Sequence, residues 1–116
     1  HSFQIIPHTF PYPVAKHAVV GLTRSLAVEY APKGIRVNSI CPAYIFTPIN
    51  EWYFNKFPDP EAKKRETEQL HPVKRLGSPD EVANAALFLA SSEASFITGE
   101  SMMVDGGISL LIHDEV

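Results

Sequence analysis

The chain has 116 residues, 45% of them hydrophobic and 20% charged, the composition of an ordinary globular protein with room for one core rather than two. Ten basic against thirteen acidic residues leave a net charge of −3, which offers no basic field to a phosphate backbone and points away from nucleic acid as a partner. Cys41 is the sole cysteine, so no internal disulfide or cysteine zinc knuckle can form. No apolar run nears the ~18 residues of a membrane span and no signal peptide shows, so a cytoplasmic chain without a membrane partner is expected.

The first residue is His1, and the methionines are Met102 and Met103. Residues 1–11 read as the exit of a strand, or a loop, over a core that lies elsewhere, and the expectation is a piece of a larger domain. Pro13 is well placed in a first helical turn, where its missing N–H has no intrahelical partner to lose. A helix is predicted from there to about Tyr30, with Val19, Leu22 and Leu26 on its apolar face and Ala15, Ala18 and Ala27 as small neighbours. Ala31-Pro32-Lys33-Gly34 ends it.

Ile35, Val37 and Ile40 then predict a short strand stopped by Pro42, with Cys41 packed as a small hydrophobe near its end. A helix followed by a buried strand suggests an α/β unit. Residues 44–70 read as a lid region: an aromatic helical segment, then a charged helix from Asp59 to Leu70 whose Lys63-Lys64-Arg65 run forms a solvated face. Ser78, Pro79 and Glu81 announce another helix through a capping box, its apolar face carried by Val82, Ala85, Ala86 and Leu89 to about Ala90. Ser91 to Gly99 is a turn region, Glu100 to Val104 a last strand, and Asp105-Gly106-Gly107 a structural turn. The five histidines, His1, His8, His17, His71 and His113, lack the pairing of a zinc site, so no metal is expected and surface roles are assigned.

Chemistry gathers at Tyr12-Pro13-Val14-Ala15-Lys16. Tyr12 at a helix mouth and Lys16 one turn later project onto the same face. Free tyrosine ionises near pH ~10, but a neighbouring cation favours the phenolate, and the positive end of the helix acts in the same direction. By itself a Tyr and a Lys four apart also describes an ordinary surface pair.

Three further segments settle the context: GLTRSLAVEYAPKGIRVNSICP from Gly21 to Pro42, RLGSPDEVANAALFLASSEASFITG from Arg75 to Gly99, and VDGG from Val104 to Gly107. With Tyr12-x-x-x-Lys16, in this order and spacing, the chain resembles the classical short-chain dehydrogenase/reductase family over nearly its whole length. The resemblance implies a Rossmann-type, doubly wound parallel α/β sheet, of which this chain supplies the C-terminal helices and the last two strands while the dinucleotide-binding N-terminal half is absent. It implies Tyr12 as catalytic acid/base and Lys16 as its activator and ribose ligand. NAD or NADP is the implied cofactor, contacted also by Pro42, Ala43, Ile45 and Thr47 in a loop beyond a strand end. Ala43 departs from the family's usual glycine, which puts a close backbone approach there in question. The family's glycine-rich motif, catalytic serine and asparagine lie upstream of the tyrosine and are not in this chain; Ser2 is too near to stand in for the serine.

Phe46, Ile49, Asn50, Trp52 and Tyr53 are the implied substrate-lining residues, since loops on a rigid scaffold commonly carry specificity. The expected reaction is hydride transfer between a nicotinamide and a secondary alcohol or ketone, with a sugar or polyol preferred over a 3-oxoacyl thioester as substrate. The long Ala-rich helix resembles the one through which the family forms tetramers or dimers. The contrasting reading is a truncated chain or pseudoenzyme that serves only as a dimerisation module.

Overall fold

The computed structural model describes residues 1–111. Its elements are α1 (Tyr12–Tyr30), β1 (Ser39–Pro42), α2 (Pro48–Phe54), α3 (Pro60–Gln69), α4 (Pro79–Ala90) and β2 (Ser101–Val104), with short 3₁₀ turns at Ala31–Lys33, Ser92–Ala94 and Ile108–Leu110. The strands β1 and β2 pair in a two-stranded parallel sheet. Two compact units divide the chain, His1–Cys41 with Ala85–Met103 and Pro42–Asn84 with the segment from Val104 onward. Among the described residues no helix is long and apolar enough to cross a membrane.

In the first unit α1 begins one residue earlier than Pro13 suggested, so Tyr12 is itself the first helical residue. The buried stripe is also displaced from the expected one. Pro13, Val20, Thr23 and Ala27 are buried, while Val19 and Leu22 are 46% and 57% exposed. Small side chains win this face because the neighbouring backbone comes close: a Cβ added at Gly99 would stand 3.4 Å from that of Ala27. Thr23 tolerates burial because its hydroxyl donates to the Val19 carbonyl at 2.8 Å, leaving no polar group unpaired.

The expected strand from Ile35 starts only at Ser39. Residues 36–38 are held largely through side chains, with one backbone bond from the Gly99 N–H to the Val37 carbonyl at 2.7 Å. The Arg36 guanidinium donates to the carbonyls of Leu89, Ser91 and Ile97, at 2.7, 3.1 and 3.2 Å. The Asn38 amide donates to Ile97 O and accepts from the Glu100 N–H, and the Val37 N–H donates to the Thr98 hydroxyl. Arg36 thereby satisfies carbonyls at the C-terminal end of α4 that have no intrahelical donor.

In the second unit the predicted capping box is present at α4. The Ser78 N–H donates to Glu81 Oε2 at 2.8 Å, and the Glu81 N–H reaches back to Ser78 Oγ at 3.4 Å. Arg75 grips the same carboxylate through two nitrogens, at 2.9 and 2.6 Å. The Arg75 guanidinium first, and the Ser78 N–H second, lower the Glu81 pKa to about 2. Asp59 caps α3 by accepting from the Ala62 N–H at 2.9 Å. Phe54, Thr67, His71 and Leu76 are the buried residues here. At the predicted turn, Asp105 accepts from the N–H groups of Gly107 and Ser109 and from the Ser109 hydroxyl. Burial pushes its pKa up, but those hydrogen bonds outweigh it and hold the carboxyl below its ordinary value.

His71 corrects the surface role assigned to it. It is 2% exposed, its Nδ1 is 3.1 Å from the Thr67 carbonyl, and its ring meets that of Tyr44 edge-on. The Thr67 carbonyl gives one ring nitrogen a partner just beyond the end of α3, while Nε2 is buried without a hydrogen bond among the described residues. His113 lies outside the described residues.

Candidate active site

Tyr12 owes its place to the turn before it. Its N–H donates to the Thr9 carbonyl at 2.9 Å, the Thr9 hydroxyl donates to the Ile6 carbonyl, and proline in the first turn starts α1 without losing a hydrogen bond. One helical turn later the Lys16 ammonium stands 5.1 Å from the centroid of the Tyr12 ring. The His1 ring also meets that of Tyr12 edge-on, at a centroid distance of 5.1 Å. The phenol is exposed, and among the described residues neither its hydroxyl nor the Lys16 ammonium is spent on a hydrogen bond. Helical spacing alone, as expected from the sequence, therefore brings an available phenol and an available cation together.

The loop from Pro42 to Thr47 lies in the second unit. The Ala43 N–H donates to the Val104 carbonyl at 3.2 Å, and Ile45 forms a parallel bridge to Gly77 through Phe46 N–H to Gly77 O and Gly77 N–H to Tyr44 O. A Cβ at Gly77 would come within 2.6 Å of the Ile45 Cδ1, which would have to turn aside. Asn50 turns back to donate to the Ile45 carbonyl. The N–H groups of Ile45 and Thr47 and the Thr47 hydroxyl have no partner among the described residues. The loop can thus offer three donors to a ligand bearing amide or phosphate oxygens. Ala43 is not among the non-glycine residues at positive φ, which are His8 and Lys74, so the alanine sits there without backbone strain.

Of the implied lining residues, Phe46, Ile49, Trp52 and Tyr53 are all on the exposed surface, while Asn50 is partly covered by its bond to Ile45. Phe54 anchors α2 from the opposite side, 3% exposed. The Lys56 ammonium, to which the sequence reading assigned no role, is 3.4 Å from the centroid of the Trp52 ring, and Lys64, expected on a solvated face, has its ammonium 4.6 Å from the centroid of Phe46. The i, i+4 spacing of Trp52 and Lys56 carried that signal. Among the described residues no three His, Cys, Asp or Glu side chains group as metal ligands do.

A family model described as enoyl-(acyl carrier protein) reductase matches residues 1–109. The chain belongs to the short-chain dehydrogenase/reductase family. Within that family it is 49% identical over 104 residues to 3beta-hydroxysteroid dehydrogenase 1 of Eggerthella lenta, covering 90% of this chain and 38% of the relative. It is 48% identical over 95 residues to a cyclohexanol dehydrogenase of Acinetobacter sp., covering 82% of this chain and 34% of that one. Among solved structures, the ligand-free aldohexose dehydrogenase of Thermoplasma acidophilum superposes with a TM-score of 0.88 at 44% identity, over 97% of this chain and 46% of that chain. This short-chain dehydrogenase/reductase chain therefore spans less than half the length of these relatives, and it covers the C-terminal part of the family's Rossmann-type fold.

Proposed function

We propose that the protein works as a nicotinamide-dependent oxidoreductase, interconverting a secondary alcohol and a ketone, with Tyr12 as acid/base and Lys16 as its activator. The observation that carries this reading is the open phenol on the first turn of α1 with the Lys16 ammonium 5.1 Å from its ring. A bound NAD or NADP would supply the two-electron acceptor for the carbinol hydride, or its donor in the reverse direction. Tyr12 takes the hydroxyl proton of the alcohol, or returns one to the ketone oxygen. Lys16 opposes the negative charge on the phenol oxygen while the proton is away, and its remaining donors suit ribose hydroxyls. The free N–H groups of Ile45 and Thr47 and the Thr47 hydroxyl fit a carboxamide and phosphates, with Pro42 and Ala43 as the loop's stem. Phe46, Ile49, Asn50, Trp52 and Tyr53 form the substrate lid within residues 44–70.

The test is Tyr12→Phe. Loss of general acid/base catalysis is expected to lower turnover by ~10²–10⁴-fold, while cofactor affinity, measured by titration, stays near that of the parent. Turnover close to the parent's would overturn the acid/base role. A second reading, an interaction module without catalysis, is favoured by the apolar residues that α1 leaves exposed, Val14, Leu22 and Val28 among them. Absence of both turnover and cofactor binding in the parent would select it, and a dimer or tetramer is compatible with either reading.

A further inference from the structure

We infer that His71 is a positioning residue for the loop from Pro42 to Thr47, acting through the Tyr44 ring. This rests on the oxidoreductase reading above, which gives that loop to the cofactor, and adds to it a residue from outside the loop. Every residue involved lies in the second unit. The loop's backbone is pinned at two places, where the Ala43 N–H donates to the Val104 carbonyl and at the isolated bridge between Ile45 and Gly77. A single bridge is not a ladder, so side chains must help to fix where the loop's free donors point. Tyr44 stands between the two pins and is half-buried. Its ring meets that of His71 at a centroid distance of 5.8 Å and an interplanar angle of 83°, the edge-to-face arrangement that aromatic pairs favour.

His71 can hold that ring because it is itself held on other sides. Its Nδ1 is 3.1 Å from the Thr67 carbonyl; a carbonyl only accepts, so Nδ1 donates and the imidazole is tethered to the end of α3. Gly106 lies against it as well: a Cβ there would stand 3.6 Å from His71 Cδ2 and 2.6 Å from Val73 Cγ2. The imidazole is thereby a shared neighbour of α3, of the turn after β2 and of the loop. Filling space does not account for a histidine here. Nε2 is buried with no hydrogen bond among the described residues, a cost that an apolar ring would avoid. What the imidazole offers over such a ring is the tether at Nδ1, which keeps it from turning away from Tyr44. A residue that breaks a packing rule for such a gain is expected where function requires it.

His71→Asn keeps an amide donor near the place of Nδ1 and removes the ring, so the end of α3 retains its bond while Tyr44 loses its support. It is expected to raise the KM of the cofactor, NADH or NADPH, at least ~5-fold, the size of one misplaced hydrogen bond. The kcat at saturating cofactor should stay within ~2-fold of the parent, because Tyr12 and Lys16 are untouched. Tyr44→Leu is expected to raise the cofactor KM in the same way, Tyr44→Phe to rescue it by returning the ring, and His71→Asn combined with Tyr44→Leu to cost no more than either alone. Hydrogen exchange at the amides of Ala43, Phe46 and Gly77 reads the loop without any cofactor, and should be faster in His71→Asn and Tyr44→Leu than in the parent. An unchanged cofactor KM and unchanged loop exchange in His71→Asn overturn the inference, and so do effects that add in the double variant. If His71→Asn folds poorly, the Tyr44 pair decides: Tyr44→Phe impaired as much as Tyr44→Leu overturns it. Failure of the underlying reading looks different. It is turnover that survives Tyr12→Phe, or loop exchange that quickens while cofactor affinity stays where it was.

Discussion

The Tyr12 and Lys16 pair works through availability. A phenol buried in a core would need a partner of its own, whereas this one has its hydroxyl free and a cation beside its ring. Both residues stand on a regular helix, whose geometry fixes their separation more firmly than a loop would. At Gly99 the constraint is conformational. Its φ is +79°, while a side chain there would only come into contact with Ala27. Gly99→Ala is expected to destabilise the fold by ~1–2 kcal/mol, the cost of placing an L-residue in the left-handed region, read as a lowered midpoint in denaturant. An unchanged midpoint would mean that the backbone there relaxes out of positive φ.

At the level of elements, the start of α4 is an electrostatic construction. Arg75, Glu81 and Ser78 form one connected group in which the carboxylate accepts from a guanidinium and from a backbone N–H. Because the Glu81 pKa falls from 4.5 to about 2 on folding, its contribution to stability is present in full above pH 4.5 and is lost as pH falls through about 2. The pair is exposed, so the effect is small and weakened by salt. Unfolding midpoints followed down this acid range should drop less steeply in Glu81→Gln than in the parent. Parallel acid limbs for the two proteins would show that the carboxylate is not paired in solution. The capping box was legible from Ser78 and Glu81 alone, because it is a local pattern four residues long. Arg75 as third member was not, since its reach depends on the turn through Leu76 and Gly77 that bridges back to Ile45.

For the molecule as a whole, large apolar side chains stay on the surface of the described residues: Phe10, Val14, Leu22, Val28, Leu87 and Phe96 are all exposed. Exposed apolar side chains gain by leaving water, and the two-stranded sheet is short of the three or more strands that stand alone in water. The 116-residue chain is therefore expected to associate as its concentration rises, which sedimentation velocity would record as species above 12.9 kDa; a single monomeric boundary at high concentration would refute it. By itself the sequence determined the order of elements, the caps, the Tyr12 and Lys16 pair and the family, because each is a local pattern governed by helical or strand spacing and by turn chemistry. Tertiary structure decided which stripe of α1 is buried, that Arg36 to Asn38 bond largely through side chains ahead of a later strand, that His71 belongs to a core, and that Asn50 turns back to the Ile45 carbonyl. Those outcomes depend on how closely a distant backbone approaches and on which carbonyls lack donors, quantities that exist only once residues far apart in the chain have met.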